Sequence, residues 1–137
     1  MSTENFTGCK LAYIFNEMLL VYKRDDLPSI PFPGLWDFPG GGREGEETPE
    51  ECVLRELEEE FAISFSESRF IYKQKVPNHT NDGNSFFFVA HGMQSEIDAI
   101  SFGDEGQYWK FMTINEYMTH PKSITALKSR LLGYLEN

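Results

Sequence analysis

Between Gly40 and Ile63 the chain reads GGGREGEETPEECVLRELEEEFAI, three glycines running into a segment dense with glutamate. Glu56, Glu59 and Glu60 are spaced i, i+3 and i+4, which on a helix puts the three carboxylates on one face. Like charges at that spacing cost about 0.2–0.5 kcal/mol per pair, so helix stability alone does not select them. A hard divalent cation bound between them reverses the sign. Mg²⁺ takes oxygen ligands, keeps several waters and is commonly shared with substrate phosphates. The glycine run suits the same chemistry, because backbone without side chains can approach a metal or a phosphate closely. The pattern points to a divalent-metal site for cutting a diphosphate. The competing reading is a solvated acidic helix face beside an ordinary turn.

The geometry requires a helix, and the local sequence supplies one. Thr48 suits an N-cap, Pro49 the first helical position, and Glu51 stands three residues after Thr48, which makes a capping box. Acidic residues in the first turn complement the helix dipole. Val53, Leu54, Leu57 and Phe61 then fall together on a face that would meet the core.

Gly41, Glu47, Arg55, Glu56, Leu57, Glu59, Glu60 and Ile63 match, position by position, the pattern Gly-x5-Glu-x7-Arg-Glu-U-x-Glu-Glu-x-Gly-U, with U a bulky aliphatic. The stretch resembles the signature of the Nudix hydrolases. Ala62 departs from it, standing where the family has glycine at the helix exit, where a positive φ is often wanted. The resemblance implies an α/β/α sandwich, a mixed sheet flanked by helices, as one domain over residues 1–137 with its signature at 41–63. It also implies hydrolysis of a nucleoside diphosphate-X compound with Mg²⁺, or Mn²⁺ as a substitute. Glu59 and Glu60 would be principal ligands, with the Gly40 carbonyl and Glu105. Glu56 would bind metal and orient or deprotonate the attacking water. Arg55 would hold a carboxylate in place, and Glu47 would be a further ligand or stand behind the others.

Resemblance to MutT-type members extends further along the chain. Glu105 lies in an Asp-Glu-Gly-Gln loop before the last expected strand, Tyr108 to Met112, as their metal-binding glutamate does. Arg24 ends the second of two strands expected over residues 6–24 and matches an arginine that contacts the nucleotide. Phe38, in Leu35-Trp36-Asp37-Phe38-Pro39-Gly40, is either core or the ring that lines the base pocket. Gly41 would let its backbone approach the substrate. MutT enzymes that sanitise oxidised guanine read the base with an asparagine between the last helices. Here His120-Pro121-Lys122-Ser123-Ile124 has none.

The remaining chain reads as scaffold. Phe86 to Ala90 is a continuous apolar run, as in a strand buried on both faces. Arg69 to Val76 alternates like a strand, Ala99 to Phe102 suggests a short one, and Pro77 to Asn84 is a polar turn. His79, within that turn, reads as solvated. Thr113 to Glu116 repeats the capping box. Pro121 would open a last helix with Ile124, Leu127, Leu131 and Leu135 in its core stripe.

Composition bounds the function. A chain of 137 residues with 15% aromatics can pack a core without staples. Net charge is −10, and residues 43–60, with nine acids and two arginines, carry −7 of it. That acidity argues against a nucleic-acid polymer as partner, which needs a basic surface. Cys9 and Cys52 lack zinc or redox spacing and read as buried thiols of a cytoplasmic protein. No run of membrane-spanning length occurs. The partner expected is a small nucleotide, most simply a nucleoside triphosphate. A nucleotide-sugar or dinucleotide pyrophosphatase is the alternative enzyme, and a silent nucleotide-sensing module the alternative outside catalysis. Oligomeric state is left open.

Overall fold

The computed structural model describes residues 5–137, so the first four residues of the expected domain lie outside the described residues. One sheet holds β1 (Gly8–Phe15), β2 (Met18–Lys23), β3 (Trp36–Asp37), β4 (Gly40–Gly42), β5 (Phe70–Pro77), β6 (Asn84–His91) and β7 (Tyr108–Thr113). β1 and β6 run parallel and the other pairs antiparallel, so the sheet is mixed. Among the described residues four α-helices accompany it: α1 (Pro49–Phe61), α2 (Gln94–Asp98), α3 (Ile114–Thr119) and α4 (Thr125–Leu135).

The strand period of two explains the layering. Leu11, Tyr13, Leu20, Tyr22, Phe86 and Phe88 face Val53, Leu57 and Phe61 of α1. Their neighbours Ala12, Ile14, Leu19, Val21, Phe87 and Val89 face Tyr117, Leu127 and Leu131 of α3 and α4. Both faces of β1, β2 and β6 are therefore covered, and the architecture is the expected α/β/α sandwich. Each of these large side chains contributes roughly 1.5–3 kcal/mol by leaving water.

β1 and β2 pair only beside their turn, at Ile14–Leu19 and Phe15–Met18. Beyond it β1 keeps β6 on one edge, and β2 keeps β7. Their inner edges part there and take up β4 and β3 respectively. The segment 36–42 is thus wedged into the sheet, with the Leu11 N–H donating to the Pro39 carbonyl at 2.8 Å. This wedge carries the glycines.

α1 begins as its sequence dictates. Thr48 accepts from the Glu51 N–H, Glu51 reaches back to Thr48, and Pro49 opens the first turn. It ends at Ala62, whose φ of 58° and ψ of 35° are left-handed, with its N–H donating to the Glu58 carbonyl. The backbone wants the family glycine although the side chain is alanine.

Three expectations fail for tertiary reasons. The last helix starts at Thr125, not Pro121, because Pro121 and Lys122 form a turn that docks on β3: the Lys122 carbonyl accepts from the Trp36 N–H, and Ser123 bridges to Trp36. Leu135 is exposed, so the core stripe of that helix ends at Leu131. Ala99 to Phe102 forms no strand; Ser101 and Gly103 instead donate to the Phe61 and Glu60 carbonyls at the end of α1.

Left-handed backbone is unfavourable for alanine by about 1 kcal/mol relative to glycine. Ala62→Gly should therefore stabilise the chain by about 1 kcal/mol in urea unfolding. An unchanged or lower midpoint would show that the cap is not strained.

Candidate active site

Arg55 is the centre of the acidic cluster. Its Nε donates to Glu47 Oε2 at 2.6 Å and its Nη2 to Glu47 Oε1 at 3.2 Å. Nη1 meets Glu56 Oε1 and Glu59 Oε1, each at 3.2 Å, and Glu44 Oε2 at 3.4 Å. Nη2 also donates to the Gly42 carbonyl at 2.8 Å, tying α1 to β4. The Arg55 hydrogen bond holds the Glu47 carboxyl below the usual carboxylate range, and the Arg55 guanidinium is correspondingly harder to deprotonate. Glu47 has both oxygens committed to Arg55 and also accepts from the Glu44 N–H at 2.8 Å.

The glycines fit the helix because nothing else would. A Cβ on Gly41 would lie 1.8 Å from Glu56 Oε2, and one on Gly40 would lie 2.2 Å from the Cys9 carbonyl oxygen. Gly40, at φ of 141°, turns its N–H toward Glu60 Oε1 at 2.9 Å. Cys9 and Cys52 are buried as expected, their sulfurs 3.2 Å apart beneath Gly41. The hydrogen bond to Cys52, together with burial, keeps the Cys9 thiol protonated.

The carboxylates differ in environment. Glu60 is 8% exposed, and burial pushes its pKa up to about 8, against the pull of Lys10 and the Gly40 N–H. Burial likewise raises Glu56, while Arg55 opposes the rise. Glu59 projects toward solvent, and Glu105 is exposed in its loop. That loop is fixed by the Gln107 N–H donating to the Lys23 carbonyl and by Gln107 Nε2 donating to the Arg24 carbonyl, both at 2.8 Å. Its charge reaches Glu56 and raises it further.

Among the described residues no three acidic, thiol or imidazole groups converge as a ready cation cage; the Arg55 guanidinium stands between them instead. The donors themselves, all hard oxygens, suit Mg²⁺ or Mn²⁺, and the buried Glu60 carboxyl, which has no ion pair among the described residues, fits a cation as counter-ion.

Next to Gly41 and Gly42 lies a cavity of about 220 Å³, walled in part by Lys10, Arg24, Asp37, Phe32 and Ile124. Arg24 is held there by Nε donating to the Pro31 carbonyl at 2.8 Å and Nη1 to Asp37 Oδ2 at 2.9 Å. Phe38 is absent from the cavity. It is fully buried, 4.8 Å from the Tyr117 ring and 6.4 Å from Phe87, so it takes the core alternative and leaves no face for a base. His79 is exposed, as the solvated reading expects, and it also lines the cavity beside Phe32. Lys10 and Asp37 escaped the sequence reading altogether. A lysine inside the apolar run Cys9 to Phe15, and an aspartate between Trp36 and Phe38, were the signals available.

The NUDIX domain family model matches residues 10–132. An 8-oxo-dGTP diphosphatase of Haemophilus influenzae is 29% identical over 126 residues, 90% of each chain. An 8-oxo-dGTP diphosphatase of Proteus vulgaris is 53% identical over 34 residues, 25% of this chain and 30% of that protein. Among solved structures, a MutT NUDIX hydrolase from Burkholderia pseudomallei superposes with TM-score 0.68 at 20% identity, over 92% of this chain and 94% of that one. A bifunctional NMN adenylyltransferase/ADP ribose pyrophosphatase from Francisella tularensis, complexed with AMP and a Mn ion, gives TM-score 0.75 at 21% identity; the match covers 97% of this chain and 42% of that protein. The chain therefore belongs to the NUDIX family. No helix among the described residues is long and apolar enough to cross a membrane.

The Glu60 carboxyl generates a pH signature in metal-free protein. Folded, it keeps its proton up to about pH 8, whereas unfolded it releases it near the ordinary value of 4.5. The unfolded state binds fewer protons in that window, so this group lowers stability as pH rises from about 4.5 to about 8. In EDTA, Glu60→Gln should melt several degrees above wild type at pH 8, on the order of 2 kcal/mol, with the gap closing toward pH 4.5. A gap independent of pH would contradict the assignment.

Proposed function

We propose that this chain hydrolyses a nucleoside triphosphate to the monophosphate and pyrophosphate, with Mg²⁺, or Mn²⁺ as a substitute. One observation carries the reading: the carboxylate face of α1 and the cavity beside Arg24 adjoin the same Gly40–Gly42 backbone. Phosphates laid along that backbone would have acidic residues at one side and room for the nucleoside at the other. The 8-oxo-dGTP diphosphatase activity named for the Haemophilus influenzae relative supports a triphosphate. The two free thiols suit a reducing cytoplasm.

Glu59, Glu60, Glu105 and the Gly40 carbonyl would hold the cation, with Glu56 beside them. When bound, the cation neutralises phosphate oxygens and makes a coordinated water more acidic. Glu56 would orient the water and accept its proton, and the raised proton affinity that burial gives this carboxyl suits a base. The water oxygen bonds to phosphorus, and the phosphorus–oxygen bond to pyrophosphate breaks. Pyrophosphate leaves with the electron pair. Arg55 would keep Glu56 and Glu59 apart and aimed, and Glu47 would keep Arg55 in place. Arg24 would meet the nucleotide, and Gly41 would let its backbone approach the substrate.

The test is product analysis on nucleoside triphosphates, nucleotide sugars and dinucleotides with Mg²⁺, for wild type and Glu59→Gln. Because Glu59 is exposed, the substitution should leave the fold intact while kcat falls at least a hundredfold, roughly 3 kcal/mol of barrier. Pyrophosphate release should be fastest from a triphosphate. A wild type that binds nucleotide yet cleaves nothing would instead be a sensing module.

A further inference from the structure

We propose that the cavity beside the glycines recognises phosphate, and that the preferred substrate is a nucleoside polyphosphate bearing a further phosphate on its sugar. This rests on the hydrolase reading above and specifies its substrate. Lys10 comes from β1, Arg24 from the end of β2 and Arg130 from α4, yet all three line one cavity of about 220 Å³. Asp37 is the only carboxylate among the residues that line it.

Asp37 cannot balance them. It is 1% exposed, and its Oδ2 already accepts from Lys10 Nζ at 2.8 Å, Arg24 Nη1 at 2.9 Å and the Tyr22 hydroxyl at 3.2 Å. Its Oδ1 accepts from the Phe38 N–H at 2.8 Å. Arg130, half-buried, donates from Nη2 to the Pro77 carbonyl at 2.9 Å and pairs with no carboxylate among the described residues. Burial makes its guanidinium easier to deprotonate than usual, with the Asp37 charge opposing that. Three cations and one anion leave a local excess of positive charge in a chain of net −10.

Charge held out of water without a counter-ion is unfavourable, and a ligand that supplies the counter-ion relieves it. A neutral base offers acceptors but no charge. Phosphate offers both, and arginine forks match its oxygens in pairs. The scissile phosphates belong on the acidic side of Gly41 and Gly42, where the cation would sit, so the phosphate bound here is a different one. Phe32, Ile124 and Leu127 give the remaining wall an apolar surface against which a sugar or base can lie.

Calorimetry in EDTA would compare adenosine 3′,5′-bisphosphate with adenosine 5′-monophosphate on the full chain. The bisphosphate should bind at least tenfold tighter. Arg130→Met should bring the two within about twofold by weakening the bisphosphate alone, and Arg130→Lys should restore part of the difference. In turnover, the same variant should raise KM for a 3′-phosphorylated nucleoside 5′-triphosphate and leave its kcat, and both constants for the unsubstituted triphosphate, unaffected. Equal binding of the two probes, binding of neither, or equal loss of both in Arg130→Met would overturn the proposal. Metal-dependent cleavage of plain triphosphates by that protein would leave the hydrolase reading intact, so the two can fail separately.

Discussion

One guanidinium holds the acidic site together. Four carboxylates, those of Glu44, Glu47, Glu56 and Glu59, reach Arg55 within ion-pair distance, and the Gly42 carbonyl takes a fifth contact. A lysine could not replace it, since a point charge with three donors cannot serve donors' partners spread over a helix and a loop. The spacing of the motif follows from this fan. Glu59 lies one turn beyond Arg55 and Glu56 next to it, while Glu47 must come from the loop before the helix. The helix therefore has to begin at Thr48 and no later, which the capping box secures. Clustered ion pairs of this kind are weak contributors to net stability once desolvation is counted. Their arrangement is better understood as keeping four like charges close enough to act together.

The second constraint is the wedge. Parting β1 from β2 opens the sheet only far enough for β3 and β4, and at Gly40 and Gly41 there is no room for a side chain. Gly40 and Gly41 fit; any Cβ would run into the Cys9 carbonyl or the Glu56 carboxylate. Because the wedge touches both layers, it separates two regions of opposite charge by a few residues of bare backbone. α1 presents carboxylates on one side, and the cavity presents Lys10 and Arg24 on the other. Lys10 belongs to both, pairing with Asp37 while its charge also pulls down the Glu60 proton affinity. An anionic chain laid across such a boundary meets a cation-demanding surface and an anion-demanding one in a fixed order.

How much of this was legible depended on range. α1, its caps, the buried run of β6 and the left-handed exit at Ala62 follow from contacts within a few residues, and the local pattern was enough. The start of α4 was not, because Pro121 is a good opening residue that β3 overrules by taking the Lys122 carbonyl. Ala99 to Phe102 looks like a strand, but the Ala99 and Ile100 N–H groups close the end of α2 and the Ser101 N–H donates to the Phe61 carbonyl at the end of α1. Phe38 was undecided between core and base pocket because only the Tyr117 ring, far along the chain, settles which side it faces. The cavity was the least legible feature. Its cations stand at positions 10, 24 and 130, and no spacing rule connects them.

Two properties of Glu60 that look separate are linked by one proton. Burial raises its pKa to about 8 in the metal-free chain, so at neutral pH the folded site holds a proton that the unfolded chain has given up. A divalent cation bound at that oxygen must release the same proton. Raising the pH then weakens the metal-free fold and would strengthen affinity for a cation held at that oxygen, through one linkage relation. The Gly40 N–H and Lys10 keep the carboxyl from rising further, which sets where in pH the exchange occurs. A site made of freely solvated carboxylates would lack this coupling. Here the depth at which α1 is packed against β1 and β4 fixes how costly the ionised Glu60 carboxyl is and how readily it would trade its proton for a metal.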